Sequence, residues 1–382
     1  MFHKKLFYPF SIFTGTIIGV GLFTLPYVTL KAGIITILSY FILVGLLVIF
    51  IHLLFGEVVL RTDGIHRLPG YVHIYLGKNS RRAVLFSTLL GLYGSLLAYI
   101  IIGGEFLWGL ANPILGGEKF IYILTFFIFG TALIWHGTKS IAKIEFWFLA
   151  LFFVLLLFLG IKGYPQINLS NFTIFNFKNI FLPYGVIMFS LWGLTVVPEV
   201  RDIMQGSEKK LKSILAGGII LSALTYIIFI FIVLGISGAN TTSDALLGLG
   251  KFLPNNILAL ALFFGVVTTF TSFLTLGLTL KKIFYYDYKK SMPFSLIFSC
   301  GIPFLLFLLG FNKFIEIIAL VGAVGLGIDG TFVLLMHQRA KKMGTRKKPE
   351  YDIKIPPIVN YILSGLLVLG VVLEIVFSLV KV

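Results

Sequence analysis

The chain is poor in charged residues and has almost no cysteine. Of its 382 residues, 12% are charged and 58% are hydrophobic, whereas a soluble domain usually has about 25% charged residues. With a mean hydropathy of +1.02, this composition excludes a water-soluble enzyme. The 40 Phe and 16 Tyr residues exclude a disordered chain, and a single cysteine, Cys300, excludes a disulfide within the chain. The remaining class is a polytopic membrane protein.

Eleven apolar segments follow one another along the chain, and short polar connections separate them. They are expected at residues 8–30, 33–59, 83–110, 119–136, 141–161, 180–200, 212–237, 255–284, 293–311, 313–336 and 356–380. The two longest connections, Arg61–Arg82 and Gln338–Ile355, are too short to form a domain. The sequence therefore predicts an all-α protein with 11 transmembrane helices.

The net charge of +16 raises the question of nucleic-acid binding, and the placement of the basic residues answers it. With the N-terminus inside, 24 of the 31 Lys and Arg residues fall on inner connections and seven on outer ones. This is the positive-inside distribution of a membrane protein, so no nucleic-acid partner is expected. The sequence predicts a cell (inner) membrane protein with a cytoplasmic N-terminus and, after 11 crossings, an external C-terminus.

Segments 1 and 6 carry the same interruption by glycine and proline. Both contain Gly-Leu, three further residues and Pro, at Gly21–Pro26 and Gly193–Pro198. Five helices separate their starts, so the two segments enter the membrane from opposite sides, as in inverted-repeat transporters with broken helices. The predicted repeats are 1–161 (helices 1–5) and 162–337 (helices 6–10), with 338–382 forming a cytoplasmic loop and helix 11. The alternative is that these residues only kink the helices or let them pack closely.

Four stretches resemble one transporter family. They are Gly15–Pro26, Arg61–Gly77, Tyr93–Glu105 and Thr271–Gly277, and in this order they resemble the amino acid/auxin permease family of the amino acid–polyamine–organocation superfamily, with its bacterial aromatic amino-acid and serine permeases. The resemblance implies a leucine-transporter-like fold of 5+5 inverted helices, with helices 1 and 6 broken and one helix added at the C-terminus. It also implies import of amino acids with Na⁺ or H⁺ as the coupling ion and no other cofactor.

The resemblance implies that the two breaks hold the substrate backbone. The amides that would bind the substrate carboxylate belong to Gly19, Val20 and Gly21. The carbonyls that would bind the substrate ammonium belong to Ser190, Leu191 and Gly193. Glycine suits such a site because its backbone can approach a ligand closely.

The substrate side chain would lie beside three further residues of segment 6. Phe189 has the position of an aromatic gate, although it equally fits a packing residue, and Trp192 and Thr195 would shape the pocket. Large aromatic residues beside Gly19 and Gly21 fit either a small neutral or an aromatic amino acid. Both substrate classes therefore stay open at this point.

The resemblance also implies a cation site between segments 1 and 8. Its residues would be Gly15, Ile18, Thr268, Thr271 and Ser272. A site made only of oxygen ligands suits a hard cation such as Na⁺. Some proton-coupled relatives place a lysine in the middle of helix 5. Here the stretch Phe146–Phe158 has no lysine and Lys143 lies before it, near the inner face, so Na⁺ is favoured over H⁺. The alternative is that the two hydroxyls bond to their own helix.

Burying an acidic residue inside the membrane costs free energy, so each such residue is expected to have a structural or functional role. Asp329 in segment 10 and Glu105 in segment 3 are candidates for proton coupling or for a buried ion pair. Glu57, Glu145 and Glu199 approach the basic inner interface and are expected to form structural pairs. The six histidines show no metal-ligand spacing.

Three rival functions fit less well. A channel needs a continuous polar stripe, and an intramembrane enzyme needs paired catalytic residues on facing helices; the sequence shows neither. The third rival keeps the fold but is an H⁺-coupled symporter or an exchanger that carries another small solute. The sequence thus predicts a non-enzymatic, ion-coupled amino-acid importer in contact with membrane lipid, and it carries no signal for an oligomeric state.

Overall fold

The computed structural model of the chain describes residues 2–64, 66–136, 141–204 and 206–380. All regular secondary structure in this part is helical. Nine of its helices are long and apolar enough to cross a membrane, and a bent pair, Leu6–Ile17 with Gly21–Ala32, makes a tenth span. A shorter apolar stretch, Met292–Leu308, corresponds to segment 9 and completes the eleven predicted segments. Lys139 and Lys381, which are counted among the 31 Lys and Arg residues above, lie outside the described residues.

Segments 1 to 5 contain seven helices. These are α1 (Phe2–Ile17) and α2 (Gly21–Ala32) in segment 1, α3 (Ile34–Arg61), a short connecting helix α4 (Leu68–Leu76), α5 (Lys78–Leu115), α6 (Lys119–His136) and α7 (Ile141–Gly163). The sequence interpretation missed α4, although Pro69 near its first turn and Gly77 (φ +87°) after its end are ordinary helix boundaries.

Segments 6 to 11 contain nine helices. These are α8 (Leu182–Ser190) and α9 (Val197–Ile203) in segment 6, α10 (Leu211–Ser237), α11 (Asn255–Lys282), α12 (Met292–Leu296) and α13 (Ile302–Leu308) in segment 9, α14 (Phe314–Leu320) and α15 (Leu326–Met343) in segment 10, and α16 (Pro357–Val380). One turn of π-helix, Val321–Gly325, joins α14 to α15. Such turns widen a helix locally and are frequent at functional sites.

Both predicted helix breaks are present. Segment 1 bends by 50° between α1 and α2, and segment 6 is not α-helical between Ser190 and Val197. The first turn of α2 lies directly against the last turn of α8, because a methyl group at Gly21 would lie only 2.9 Å from the Ser190 Cα atom. The two breaks therefore face each other at the centre of the protein, with α10 packed against α1 and α2 and the Tyr99 side chain of α5 in contact with the break in segment 1.

A strap formed by residues 344–356 covers the end of α3 on the side where α1 begins. The buried Glu57 carboxylate accepts from Arg61 Nε (2.8 Å), His337 Nε2 (3.0 Å) and the Ile353 amide (2.8 Å). Arg61 also binds Asp352 at 3.0 Å. Thus Glu57 forms the predicted structural pair, and it ties α3, α15 and the strap together. The Glu145 side chain lies outside the described part.

Lys341, near the end of α15, provides a second cation at the Asp352 carboxylate of the strap. Lys341 Nζ lies 3.0 Å from the Asp352 Oδ1 atom. Its hydrogen bond, with the nearby Arg61 charge, lowers the pKa of the Asp352 carboxyl. The Asp352 carboxylate therefore stays ionised, and paired with Lys341 and Arg61, near neutral pH.

Candidate functional site

A cavity of about 90 Å³ lies between the two helix breaks. Six of the nine predicted substrate residues line it: Gly19, Val20, Gly21, Phe189, Trp192 and Thr195. The other wall is one face of α5, made of Thr88, Gly91, Leu92, Ser95 and Tyr99. The remaining three predicted residues, Ser190, Leu191 and Gly193, do not line it.

The break in segment 1 presents backbone donors to this cavity. The Val20 amide donates to the Tyr99 hydroxyl at a long 3.4 Å, and the Gly19 amide has the Tyr226 hydroxyl as a hydrogen-bond partner. Among the described residues no acceptor is found for the Gly21 amide. These groups lie at the N-terminus of the 12-residue helix α2, where the helix dipole favours an anion. The geometry suits a carboxylate.

Tyr226 of α10 joins the two breaks. Its hydroxyl lies 2.6 Å from the Ile17 carbonyl at the end of α1 and 2.8 Å from the Ser190 carbonyl at the end of α8. A phenol has one hydrogen, so the two carbonyls share one donor. The Ser190 carbonyl, expected to bind the substrate ammonium, therefore already has a partner inside the protein.

We expect Tyr226→Phe to destabilise the protein by about 1–3 kcal/mol, the usual cost of leaving a buried polar group without its partner. Two carbonyls at the breaks lose their shared donor, while the ring still fills the same space. Chemical unfolding in detergent measures the change, with the exposed Tyr164→Phe as the matched control. Equal stabilities of the two variants would contradict the bridging role.

His52 of α3 fixes the break in segment 6. Its Nδ1 atom lies 2.8 Å from the Val48 carbonyl, and its Nε2 atom accepts from the Gly193 amide at 3.0 Å. A carbonyl only accepts and an amide N–H only donates, so these partners fit the neutral ring with its hydrogen on Nδ1. The ring also packs edge-on against Trp192, at 5.2 Å between centroids. Leu191, the residue before Trp192, is fully buried.

We expect His52→Phe to lower the free energy of unfolding by about 1–3 kcal/mol, because the buried Gly193 amide loses its acceptor. Substrate binding should weaken as well, because Trp192, which lines the central cavity, packs against the His52 ring. Denaturant titration and ligand binding measure the two effects. His73→Phe on the surface of α4 is the control, and a His52→Phe protein that behaves like it would refute the role of the ring.

A second cavity, of about 70 Å³, brings together all five residues of the predicted cation site. Gly15, Ile18, Thr268, Thr271 and Ser272 line it. The Thr271 hydroxyl donates to the Thr268 carbonyl of its own helix at 3.0 Å, which leaves its lone pairs available, and no hydrogen bond is found for the Ser272 hydroxyl within the described residues. The α7 residues at this cavity are Leu149 and Phe152, so among the described side chains no lysine of segment 5 lies at it.

The two acidic candidates have different surroundings. Asp329 lines the central cavity and accepts a short hydrogen bond from Ser87. Glu105 lies elsewhere on α5 and pairs with Lys119 at 2.9 Å. The structure thus gives Glu105 the ion pair that was one of its two expected roles, and only Asp329 faces the cavity.

A vestibule of about 780 Å³ opens towards the side on which α1 begins. It reaches the central cavity, because six residues line both: Thr16, Thr88, Leu92, Thr195, Leu276 and Asp329. The vestibule is also lined by charged and ionisable side chains that do not line the central cavity, namely His66, Arg67, Arg81, Lys282 and Glu199. The conformation is therefore open on this side.

Three site residues escaped the sequence interpretation: Tyr99, His52 and Tyr226. A tyrosine or histidine in the middle of an apolar helix is a usable signal, since its polar atom needs a partner there. The sequence contains 16 tyrosines, however, and the pairing of these three with the breaks depends on how distant helices pack.

Comparisons with known proteins agree with this geometry. The chain is 29% identical over 288 residues to "Tyrosine-specific transport system 1" of Haemophilus influenzae, covering 70% of this chain and 69% of that protein. It is 25% identical over 244 residues to "Glutamine transporter 2" of Aliivibrio fischeri, spanning 62% of each. The crystal structure of MhsT in complex with L-phenylalanine matches with a TM-score of 0.69, at 15% identity, over 96% of this chain and 97% of that one.

The likeness to MhsT confirms the leucine-transporter-like fold. The sequence model of the tryptophan/tyrosine permease family matches residues 3–377, which is nearly the whole chain. Both curated relatives are transporters. The chain is thus a membrane transport protein and not an enzyme, and it belongs to the tryptophan/tyrosine permease family.

Proposed function

We propose that this permease imports neutral or aromatic amino acids by ion-coupled symport and alternating access. The observation that carries the proposal is the run of backbone amides at Gly19, Val20 and Gly21, which lie at the N-terminus of α2 and face a central cavity. Among the described residues no acceptor is found for the Gly21 amide. Every amino acid has a carboxylate that fits such a site. The named cargoes of the relatives, tyrosine and glutamine, and the ligand of MhsT, phenylalanine, are amino acids.

The residues of segment 1 and segment 6 have separate roles in this proposal. The amides of Gly19, Val20 and Gly21 bind the carboxylate, while the break in segment 6 receives the ammonium through the carbonyls of Ser190, Leu191 and Gly193. The Ser190 carbonyl can do so only if the Tyr226 hydroxyl turns to Ile17. The side chain of the substrate lies against Phe189, Trp192 and Thr195, with Phe189 as the closing gate.

The coupling ion in this proposal is Na⁺. Gly15, Ile18, Thr268, Thr271 and Ser272, which offer carbonyl and hydroxyl oxygens, line one cavity, and hard cations prefer oxygen ligands. The cavity adjoins the central one, because Thr16, Tyr99 and Leu276 line both. Substrate and ion therefore contact the same break in segment 1, which gives a physical basis for coupling.

We further propose that the protein lies in the cell (inner) membrane with its N-terminus in the cytoplasm and its C-terminus outside. The distribution of Lys and Arg supports this orientation, in which the vestibule opens inwards. The inverted repeats span 1–161 and 162–337 in this proposal, with 338–382 forming the cytoplasmic strap and α16. The four matching motifs support a place in the amino acid/auxin permease family and its superfamily.

Uptake by purified protein in liposomes tests the function. Labelled tyrosine, glutamine and phenylalanine are offered under an imposed Na⁺ gradient and then under an imposed pH gradient. We expect uptake driven by Na⁺. Uptake driven only by the pH gradient would assign the coupling to an acid such as Asp329, and counterflow without either gradient would identify an exchanger. No movement of any amino acid, with binding of another small solute, would refute the proposal.

A further inference from the structure

The connection between α7 and α8, residues 164–181, exposes many large apolar side chains. Six of its 18 residues are exposed aromatic or large aliphatic residues: Tyr164, Leu169, Ile174, Phe175, Phe177 and Phe181. Three of these side chains, those of Leu169, Ile174 and Phe177, are 68–77% exposed. Contiguous exposed apolar residues usually mark an interaction surface. The connection is therefore expected to contact a partner outside the chain.

Backbone hydrogen bonds hold this connection against the helix ends beneath it. The Asn176 amide donates to the Ala32 carbonyl at the end of α2 (3.1 Å), and the Asn168 amide donates to the Gly235 carbonyl of α10 (2.9 Å). Both helices end on the side of the protein opposite the vestibule. The exposed side chains are thus presented by an ordered backbone on that side.

The connection lies at the end of two apolar helix surfaces. Exposed apolar residues with helical spacing run towards it at Ile35, Ile42 and Leu46 on α3 and at Ile220, Leu224, Ile228 and Phe231 on α10. The Ile174 carbonyl accepts from the Ile35 amide at 3.2 Å, and the Phe172 ring packs against the Phe231 ring with 4.9 Å between centroids. In a membrane such apolar surfaces face the lipid chains. The connection therefore lies where the lipid chains meet the headgroups, a level at which aromatic residues are common.

The charges beside these apolar residues are all positive. Lys162 precedes the connection, Lys178 lies within it, and both are exposed. Lys31 lies beside them, because the Asn179 side chain donates to its carbonyl at 3.2 Å. None of these three lysines forms an ion pair within the described residues, and the stretch Phe146–Pro198 contains no Asp or Glu. Such a surface complements an anion and offers no carboxylate to a choline or ethanolamine headgroup.

We propose that residues 162–181, together with Lys31, form a docking surface for an anionic phospholipid. The exposed apolar side chains enter the region of the acyl chains, and the lysine ammonium groups contact the phosphate and the rest of the anionic headgroup. Binding at a membrane surface grows with the apolar area buried and with the attraction of cations to anionic lipids. A free phosphate would contact only the lysines and leave the apolar residues uncovered, so the lipid is the better source of the anion.

The docking surface is joined to α2, the helix whose first turn forms part of the segment 1 break. Gly33 follows α2 with a φ of +92°, and a methyl group there would lie 2.6 Å from the Phe175 Cα atom. The backbones are in direct contact at this point, in addition to the hydrogen bond at Ala32. A lipid bound to the connection therefore restrains the end of α2 that lies away from the break.

Fluorescence quenching by brominated lipids tests the proposal. Phe177→Trp places a tryptophan on the docking surface, and the signal of the wild type, with its four tryptophans, is subtracted. The full-length protein is placed in phosphatidylcholine nanodiscs with increasing fractions of phosphatidylglycerol or phosphatidylcholine whose acyl chains are brominated. We expect half-maximal quenching at a fraction of phosphatidylglycerol at least about fivefold lower than that of phosphatidylcholine, the effect of about one lysine at an anionic surface. Leu169→Trp serves if the first variant does not fold.

Substituting the lysines tests the role of charge. Lys162→Gln with Lys178→Gln, added to the tryptophan variant, should make the two lipids equivalent. Lys251→Gln with Lys313→Gln is the matched control, because it removes the same charge from exposed positions on the same side and should keep the preference.

The other outcomes would overturn the inference. Equal quenching by the two lipids, or a preference that survives loss of Lys162 and Lys178, would show that the surface does not select an anionic headgroup. Quenching by neither lipid would show that the surface faces water, and a preference abolished by excess inorganic phosphate would assign the lysines to a free anion. None of these results depends on amino-acid uptake, so the proposed function stands or falls separately.

Discussion

Replacing Gly21 by valine should weaken substrate binding by up to about 100-fold. A methyl group at this position would lie 2.9 Å from the Ser190 Cα atom and would also meet the Ser190 hydroxyl. The backbone of α8 cannot move aside cheaply, and overpacking of this kind costs up to about 3 kcal/mol, which corresponds to a factor of roughly 100. The valine would push α2 away from α8 and displace the amides that bind the carboxylate.

Equilibrium binding of labelled tyrosine measures this loss. Gly365→Val in α16 is the matched control, because a methyl group there meets nothing within 4 Å. Gly21→Ala should give an intermediate loss, since it adds one carbon against the same atoms, and it serves if the valine variant does not fold. Wild-type affinity in Gly21→Val would show that the substrate does not bind at the break in segment 1.

The double substitution Thr271→Ala with Ser272→Ala should abolish the sodium dependence of uptake. It removes both hydroxyl oxygens from the proposed cation site, and the number of oxygen ligands largely determines the affinity for a hard cation. Because the Thr271 hydroxyl bonds only to its own helix, we expect α11 to fold normally. Uptake by the double variant should therefore not increase when a sodium gradient is imposed, whereas uptake by the wild type should.

Thr279→Ala is the control for this double substitution. Thr279 lies further along α11, and its hydroxyl donates to the Thr275 carbonyl at 2.9 Å, so it also loses a hydroxyl bonded to its own helix. It lines the vestibule and not the cation cavity. If uptake by the double variant still follows the sodium gradient, the cation binds elsewhere.

Local sequence features predicted the helices and their breaks because the membrane makes these features unambiguous. A helix must be apolar over its whole crossing, so the eleven segments could be read directly. The break in segment 1 could be predicted because Gly19, Gly21 and Pro26 stand close together. The meeting of Gly15 and Ile18 with Thr268, Thr271 and Ser272 in one cavity followed from the family resemblance and not from the pattern itself.

Contacts between distant helices could not be predicted. His52 and Gly193 are 141 residues apart, and Tyr226 and Ile17 are 209 residues apart. Each pairing depends on the rotation of a helix about its own axis, which an almost uniformly apolar sequence does not specify. The role of the segment 6 carbonyls was implied by the family resemblance, whereas the hydrogen bond of the Ser190 carbonyl to Tyr226 is visible only in the structure.

The strap at Glu57 limits which parts of the transporter can move. Separating a buried ion pair costs about 3–5 kcal/mol, and Glu57 is held by Arg61, His337 and the Ile353 amide. We therefore expect α3 and α15 to move together as one rigid unit, although they come from opposite halves of the chain. Among the described side chains α1 forms no ion pair, so we expect it to swing about the unwound residues 18–20.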